Sequence, residues 1–115
     1  MSQTTNEVLA RGWIRALSNV DEFYELCAPG CEVWHSNDDR WITVEEAVDA
    51  VHGRGGLPEF DDSRYTLTEK GFFVQTSATP EAAGVRVHVV QAVATKDGKA
   101  ISVEEYVGPE MDIAA

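Results

Sequence analysis

Residues 84–108 read GVRVHVVQAVATKDGKAISVEEYVG, and the way this stretch folds back on itself decides the architecture. Asp97-Gly98 lies between two runs rich in Val, Ile and Ala, the strongest short-range signature of a two-residue hairpin turn, because Asp and Gly tolerate the positive φ such a turn needs. Counting outward from the turn sets Lys96 opposite Lys99, Ala94 opposite Ile101, Ala92 opposite Val103, Val90 opposite Glu105 and His88 opposite Val107. Successive side chains alternate faces along a strand. One face is therefore expected to carry His88, Val90, Ala92, Ala94, Ile101, Val103, Glu105 and Val107, with Arg86 at its end. The other carries Val87, Val89, Gln91, Val93, Ser102, Glu104 and Tyr106.

The first face is apolar except at one end, where His88 and Glu105 are diagonal neighbours roughly 7–8 Å apart by cross-strand geometry. A carboxylate among aliphatic side chains is costly unless it is paired or lines a cavity. Glu105 is thus expected to face a cavity, with Glu104 as the acid on the wet side. The bland alternative is a register off by one, with Glu105 in solvent.

Working back toward the N-terminus, Thr79 to Gly84 reads as a loop, and Arg64 to Ser77 alternates as one long strand interrupted at Gly71, where glycine permits a bulge or bend. Leu57 to Ser63 is acidic and turn-rich. Thr43-x-x-Glu46 is a capping box that opens a helix with Val44, Ala47, Val48 and Val51 on its buried stripe, and Gly53 to Gly56 ends that helix. Cys31 to His35 reads as a strand followed by the polar turn Ser36 to Asp39. A short helix capped by Asn19, with Glu22 in the box position, runs to Ala28-Pro29-Gly30. Before it, Thr4 to Leu17 is an amphipathic helix with Trp13 on its apolar face, and Gly12 predicts close approach of another element. Residues 110–115 read as a loose tail. Helices gathered early and strands late predict one α+β domain over residues 1–115, with helices covering one face of a bent sheet.

The bulk composition narrows the partners. The 115 residues are 43% hydrophobic and 25% charged, enough for a single packed core. Nine Lys and Arg stand against 20 Asp and Glu, a net charge of −11. That balance argues against nucleic acid and anionic membrane surfaces as partners. No apolar run reaches the ~20 residues a membrane span needs, and the N-terminus lacks the pattern of a signal peptide, so a cytoplasmic location is expected. Cys27 and Cys31 lack the C-x-x-C spacing and have no second pair, so they read as small core residues, with a disulfide as the lesser alternative. No nucleophile elbow or phosphate-cradling glycine loop is present.

With the Trp13 helix, the strand CEVWHSND, the helix TVEEAVDAVHGRGG and the closing hairpin ending in VEEYVG, the chain resembles the nuclear transport factor 2-like superfamily, particularly its SnoaL-like members. The resemblance spans nearly the whole chain. It implies a cystatin-like cone in which three N-terminal helices pack on a curved, mainly antiparallel sheet around a conical pocket. The superfamily includes ketosteroid isomerases, limonene epoxide hydrolases, scytalone dehydratases, polyketide cyclases and non-catalytic members, and fold alone does not choose among them. The ketosteroid isomerase base falls near His35, its oxyanion-hole acid near His88 and its tyrosine near Trp13, and all three identities differ here. Glu105 matches the last-strand aspartate of limonene epoxide hydrolase, whereas Arg86-x-His88 lies on a different strand from that family's Arg-x-Asp.

Together these readings place His35, His88 and Glu105 at the open end of the cone, with Asp38 at its rim. A His/Glu pair suits general acid–base work, since a carboxylate orients an imidazole that titrates near neutrality. Trp13, Trp41, Phe72, Val90 and Val103 are the expected ligand-binding surface. The expected activity is cofactor-independent isomerase, cyclase or dehydratase chemistry on a small apolar molecule, with no metal. The alternative is a non-catalytic ligand-binding or dimerisation module. The resemblance also implies a homodimer, with Val87, Val89, Val93 and Tyr106 as its candidate contact.

Overall fold

The computed structural model describes residues 2–112, with side chains from residue 5. Helix α1 (Ser2–Ala16) is followed by a single 3₁₀ turn (Val20–Glu22), helix α2 (Phe23–Leu26), strands β1 (Cys27–His35) and β2 (Arg40–Thr43), and helix α3 (Val44–Gly53). Four further strands complete the chain: β3 (Asp62–Leu67), β4 (Gly71–Ala78), β5 (Val87–Lys96) and β6 (Lys99–Pro109). They form one six-stranded sheet in the order β2-β1-β6-β5-β4-β3. Every pairing is antiparallel except β1 with β6, which is parallel. The helices share one face of the sheet, α1 over β3 and β4, α3 over β1 and β2.

The helices are less strictly N-terminal than the sequence predicts, because β1 and β2 precede α3. The single strand expected over residues 64–77 is two strands. Thr68 and Gly71 close a tight turn through Thr68 N donating to Gly71 O and Gly71 N donating to Thr68 Oγ1, each at 3.0 Å. Gly71 is therefore the first residue of β4, pressed against the carbonyl of Val93. Gly12 does receive a neighbour, since a Cβ there would lie 3.3 Å from Leu26 Cδ2 of α2.

Two capping expectations fare differently. Asn19 makes no side-chain capping bond, and the segment after it is one 3₁₀ turn, with Glu22 N donating to the Asn19 carbonyl. Ala28-Pro29-Gly30 does not end a helix but forms the irregular start of β1, with Gly30 at φ +83°. The Thr43 capping box is complete: Glu46 N donates to Thr43 Oγ1 and Thr43 N donates to Glu46 Oε1, each at 3.1 Å. These bonds from the Thr43 backbone and hydroxyl hold the Glu46 carboxyl below its ordinary range. A depressed carboxyl pKa stabilises the fold above the unfolded-state titration and loses that contribution as pH falls through it. Thr43→Ala is accordingly expected to cost about 1 kcal/mol at neutral pH, with a smaller loss on acidification than in the parent, as read by denaturant unfolding at pH ~7 and pH ~3.5.

The central hairpin carries the main correction. Asp97 (φ 53°) and Gly98 (φ 78°) form the turn, and Lys96 pairs with Lys99 as the turn requires. One step on, Thr95 pairs with Ala100 but Ala94 pairs with Ser102, so Ile101 is an extra, bulged residue and lies 42% exposed. Beyond it the register is shifted by one: Val93 faces Val103, Gln91 faces Glu105 and Val89 faces Val107. A bulge of this kind moves every later side chain of the partner strand to the opposite face. Val103 and Glu105 face inward as expected, but on β5 the inward residues are Gln91 and Val93, while His88 and Val90 turn outward. The expected dimer contact is divided by the same shift, because Val93 is buried in the core and Tyr106 is exposed on the outer face.

The interior is built in layers. Val33 pairs with Val103 and Val103 with Val93, all buried on the inner face. Phe72 and Val74 of β4 extend the layer, and Leu9 and Trp13 of α1 with Val48 of α3 close over it. Trp13 meets Phe23 and Phe72 edge to face, at ring-centroid distances of 4.7 and 5.8 Å. At the C-terminal end, Glu110 is held rather than loose, its N–H donating to the Arg86 carbonyl at 2.7 Å and its carboxylate meeting His88 Nε2 at 2.9 Å. Met111 after it is 65% exposed, and residues 113–115 of the expected tail lie outside the described residues.

Candidate active site

One level beyond the Val33, Val103 and Val93 layer, the same three strands present His35, Glu105 and Gln91. His35 and Glu105 are partners across the parallel pair, and Glu105 and Gln91 across the antiparallel one. Two residues along a strand return to the same face, so all three side chains point inward in one row. Trp13 reaches the row from α1, its Nε1 donating to Gln91 Oε1 at 2.8 Å. Gln91 Nε2 donates to Glu105 Oε1 at 2.8 Å, and Glu105 Oε2 lies 3.4 Å from His35 Nε2. The His35 and Glu105 side chains are 22% and 21% exposed, shielded by protein yet open to a cavity.

That cavity has a volume of about 230 Å³ and lies between the inner sheet face and α2 and α3. Its walls are apolar, from residues such as Val33, Ile42, Val48 and Val51, and its floor carries His35, Glu105 and Gln91. Asn37, Asp38 and Arg54 make the mouth polar. Asp38 arrives there on the turn between β1 and β2.

Of the residues singled out from sequence, His35, Glu105, Asp38, Trp13 and Val103 line this cavity. The others lie elsewhere. His88 is on the outer face beyond the bulge, 52% exposed and hydrogen-bonded to Glu110, so His35, His88 and Glu105 are not brought together. Among the described residues no cluster of three or more His, Cys, Asp or Glu is placed to hold a metal ion. Val90 is turned outward by the same shift. Trp41 pairs with Trp34 on the outer side of the β1–β2 hairpin and is 50% exposed. Phe72 is wholly buried behind Trp13 in the core and does not reach the cavity wall.

Gln91 is the site residue that sequence reasoning missed. The signal lay in side-chain bulk: Val87, Val89 and Val93 flank Gln91 on its face, against the smaller Ala92 and Ala94 on the other. The bulkier face is the one that packs. Cys27 also lines the cavity, with Cys31 buried behind it. The hydrogen bond between the two thiols, with burial, pushes the Cys27 thiol up, and the same bond draws Cys31 down. A protonated Cys27 is a poor nucleophile.

The fold is that of the nuclear transport factor 2-like, SnoaL-like and ketosteroid isomerase-like structures. A nuclear transport factor 2-like protein of unknown function from Burkholderia xenovorans superposes with a TM-score of 0.78 at 12% identity, covering 95% of this chain and 87% of that one. A candidate ketosteroid isomerase from Kribbella flavida gives 0.76 at 16% identity, covering 96% and 82%. A candidate SnoaL-like polyketide cyclase from Mesorhizobium loti gives 0.59 at 15% identity, covering 87% and 97%. No protein-family model and no curated protein sequence matches the chain. Among the described residues no helix is long and apolar enough to cross a membrane.

Proposed function

We propose that the cavity binds a small, largely apolar molecule and that His35, braced by Glu105, moves a proton on it in an isomerase, cyclase or dehydratase reaction. The observation that supports this reading is the His35–Glu105 pair at the floor of an otherwise apolar cavity, where a carboxylate can orient an imidazole and balance the charge it gains. The inward amide of Gln91 has a second N–H beyond the one given to Glu105, and that donor suits a carbonyl oxygen of the bound molecule. Asp38 at the mouth is the auxiliary acid or base. A cavity of about 230 Å³ is smaller than those that enclose drug-sized ligands, ~300–1,000 Å³, so the substrate is a one- or two-ring or short-chain compound.

The experiment is α-proton exchange in D₂O, followed by NMR, over a panel of small cyclic and acyclic ketones and lactones. Exchange above the buffer rate on at least one member is the expected result. A specific observation favours a second reading, a non-catalytic binding module: each of His35, Glu105, Gln91 and Trp13 already has a partner within the row. Saturable binding without exchange would install that reading, and neither binding nor exchange would remove both. The proposed homodimer would use the outer sheet face, where Trp41, Phe73 and Tyr106 are exposed. A monomer mass by sedimentation at micromolar protein would eliminate it.

A further inference from the structure

We propose that Gln91, oriented by the Trp13 indole, is a positioning residue that holds the Glu105 carboxylate against His35 Nε2, so that Nδ1 is the nitrogen free to take a proton. The proposal rests on the reading of His35 as the proton-moving group, but its test needs no substrate. An indole N–H donates and never accepts. Trp13 Nε1 lies 2.8 Å from the Gln91 amide, so the carbonyl end of that amide belongs at Trp13 and the amino end at Glu105, also at 2.8 Å. The reverse orientation sets donor against donor at one end and carbonyl against carboxylate at the other. Both contacts would be lost together in a partly buried site, where unmade hydrogen bonds are costly.

The relay ends at the Glu105 carboxylate, whose two oxygens both accept. Glu105 Oε1 is held as an acceptor, and Glu105 Oε2 faces His35 Nε2 at 3.4 Å. That separation is longer than an ordinary hydrogen bond, yet two lone pairs facing each other across it repel whereas an N–H and a carboxylate attract. Neutral His35 therefore carries its hydrogen on Nε2. The lone pair is left on Nδ1, which has no hydrogen-bond partner among the described residues, and His35 lines the cavity. Donation thus runs from the indole of α1 through Gln91 of β5 to Glu105 of β6, and from His35 of β1 to the same carboxylate, which accepts from both sides.

The same logic makes an inverted outcome for one variant. In Glu105→Gln, Gln91 still presents its amino end, so the new side chain must turn its carbonyl to Gln91 and its own amino group to His35. His35 Nε2 must then accept, and the hydrogen moves to Nδ1. Restoring freedom to Gln91 should undo this: in Trp13→Phe combined with Glu105→Gln, neither amide end has a preferred partner and the two tautomers should mix. A residue that only fills space would produce no such inversion.

The test is a long-range ¹⁵N–¹H correlation spectrum of the histidine side chains in the ligand-free protein, with His35 assigned by its absence from His35→Ala, at about pH 8.5, roughly two pH units above the ordinary imidazole value. The wild-type protein is expected to hold the Nε2–H form over the Nδ1–H form by at least about tenfold, and Glu105→Gln to reverse that ratio. An Nδ1–H signal in the wild type, or an unchanged Nε2–H signal in Glu105→Gln, would overturn the proposal. The double variant removes an indole that packs on Phe23 and Phe72, so if it does not fold, the wild type and the single variant suffice to decide between these outcomes. If the tautomers behave as expected but no panel compound exchanges, the positioning role stands and the catalytic reading falls.

Discussion

Replacing His35 with alanine is expected to lower the α-proton exchange rate on any panel compound that the protein turns over by about 10²–10⁴-fold, the usual contribution of a positioned acid or base. Binding should change little. The apolar walls that hold the ligand, Val33, Ile42, Val48 and Val51, are untouched by the substitution, and removing the ring enlarges the floor rather than the mouth. The two quantities are read separately, the rate by deuterium incorporation and the binding by quenching of tryptophan emission, since Trp13 lines the cavity. A variant that keeps the rate within about threefold of the parent would take the reacting proton away from His35, because general acid–base groups do not contribute so little.

Gly71→Ala is expected to be the most damaging small substitution in the sheet. A Cβ at residue 71 would stand inside the van der Waals envelope of the Val93 carbonyl oxygen, and 3.1 Å from Thr95 Cγ2. Backbone on both sides limits the relief available. Lys70 O accepts from Thr95 N at 2.8 Å, while Gly71 N and O close the turn with Thr68. Moving the glycine outward breaks these bonds, and moving β5 disturbs Val93 in the innermost layer. The cost should be about 3 kcal/mol, with a fall in Tm of about 10–15 °C by calorimetry. Gly108→Ala is the control, because a Cβ there meets nothing within 4 Å. Equal stability of the two variants would mean that the β4–β5 approach is looser than described.

What the sequence discloses and what it conceals follow from the range of the interactions. The Thr43 box, the Asp97-Gly98 turn and the helix of Trp13 are decided within a few residues, and each is legible in the order of side chains. The inward direction of Glu105 was legible too, from the aliphatic residues that alternate with it. The position of β5 was not. Ile101 is a β-branched apolar residue that fits an inward site as well as a bulge, and only the packing of Val93 against Val103, with Thr95 held by Asn6 and Lys70, selects the bulge. Counting from a correct turn therefore led to the wrong face for His88 and Val90, and it hid Gln91. His35 escaped this error because β1 is a separate strand whose facing does not depend on the hairpin.

The level-by-level construction of the inner sheet face has a consequence for how such a protein changes over generations. Val33, Val93 and Val103 do the folding, and His35, Gln91 and Glu105, each two residues away on the same strand, face the cavity. Mutations at the second level alter polarity at the cavity floor without opening a hole in the first, so a lineage can trade one reaction for another, or for none, while the chain remains foldable throughout.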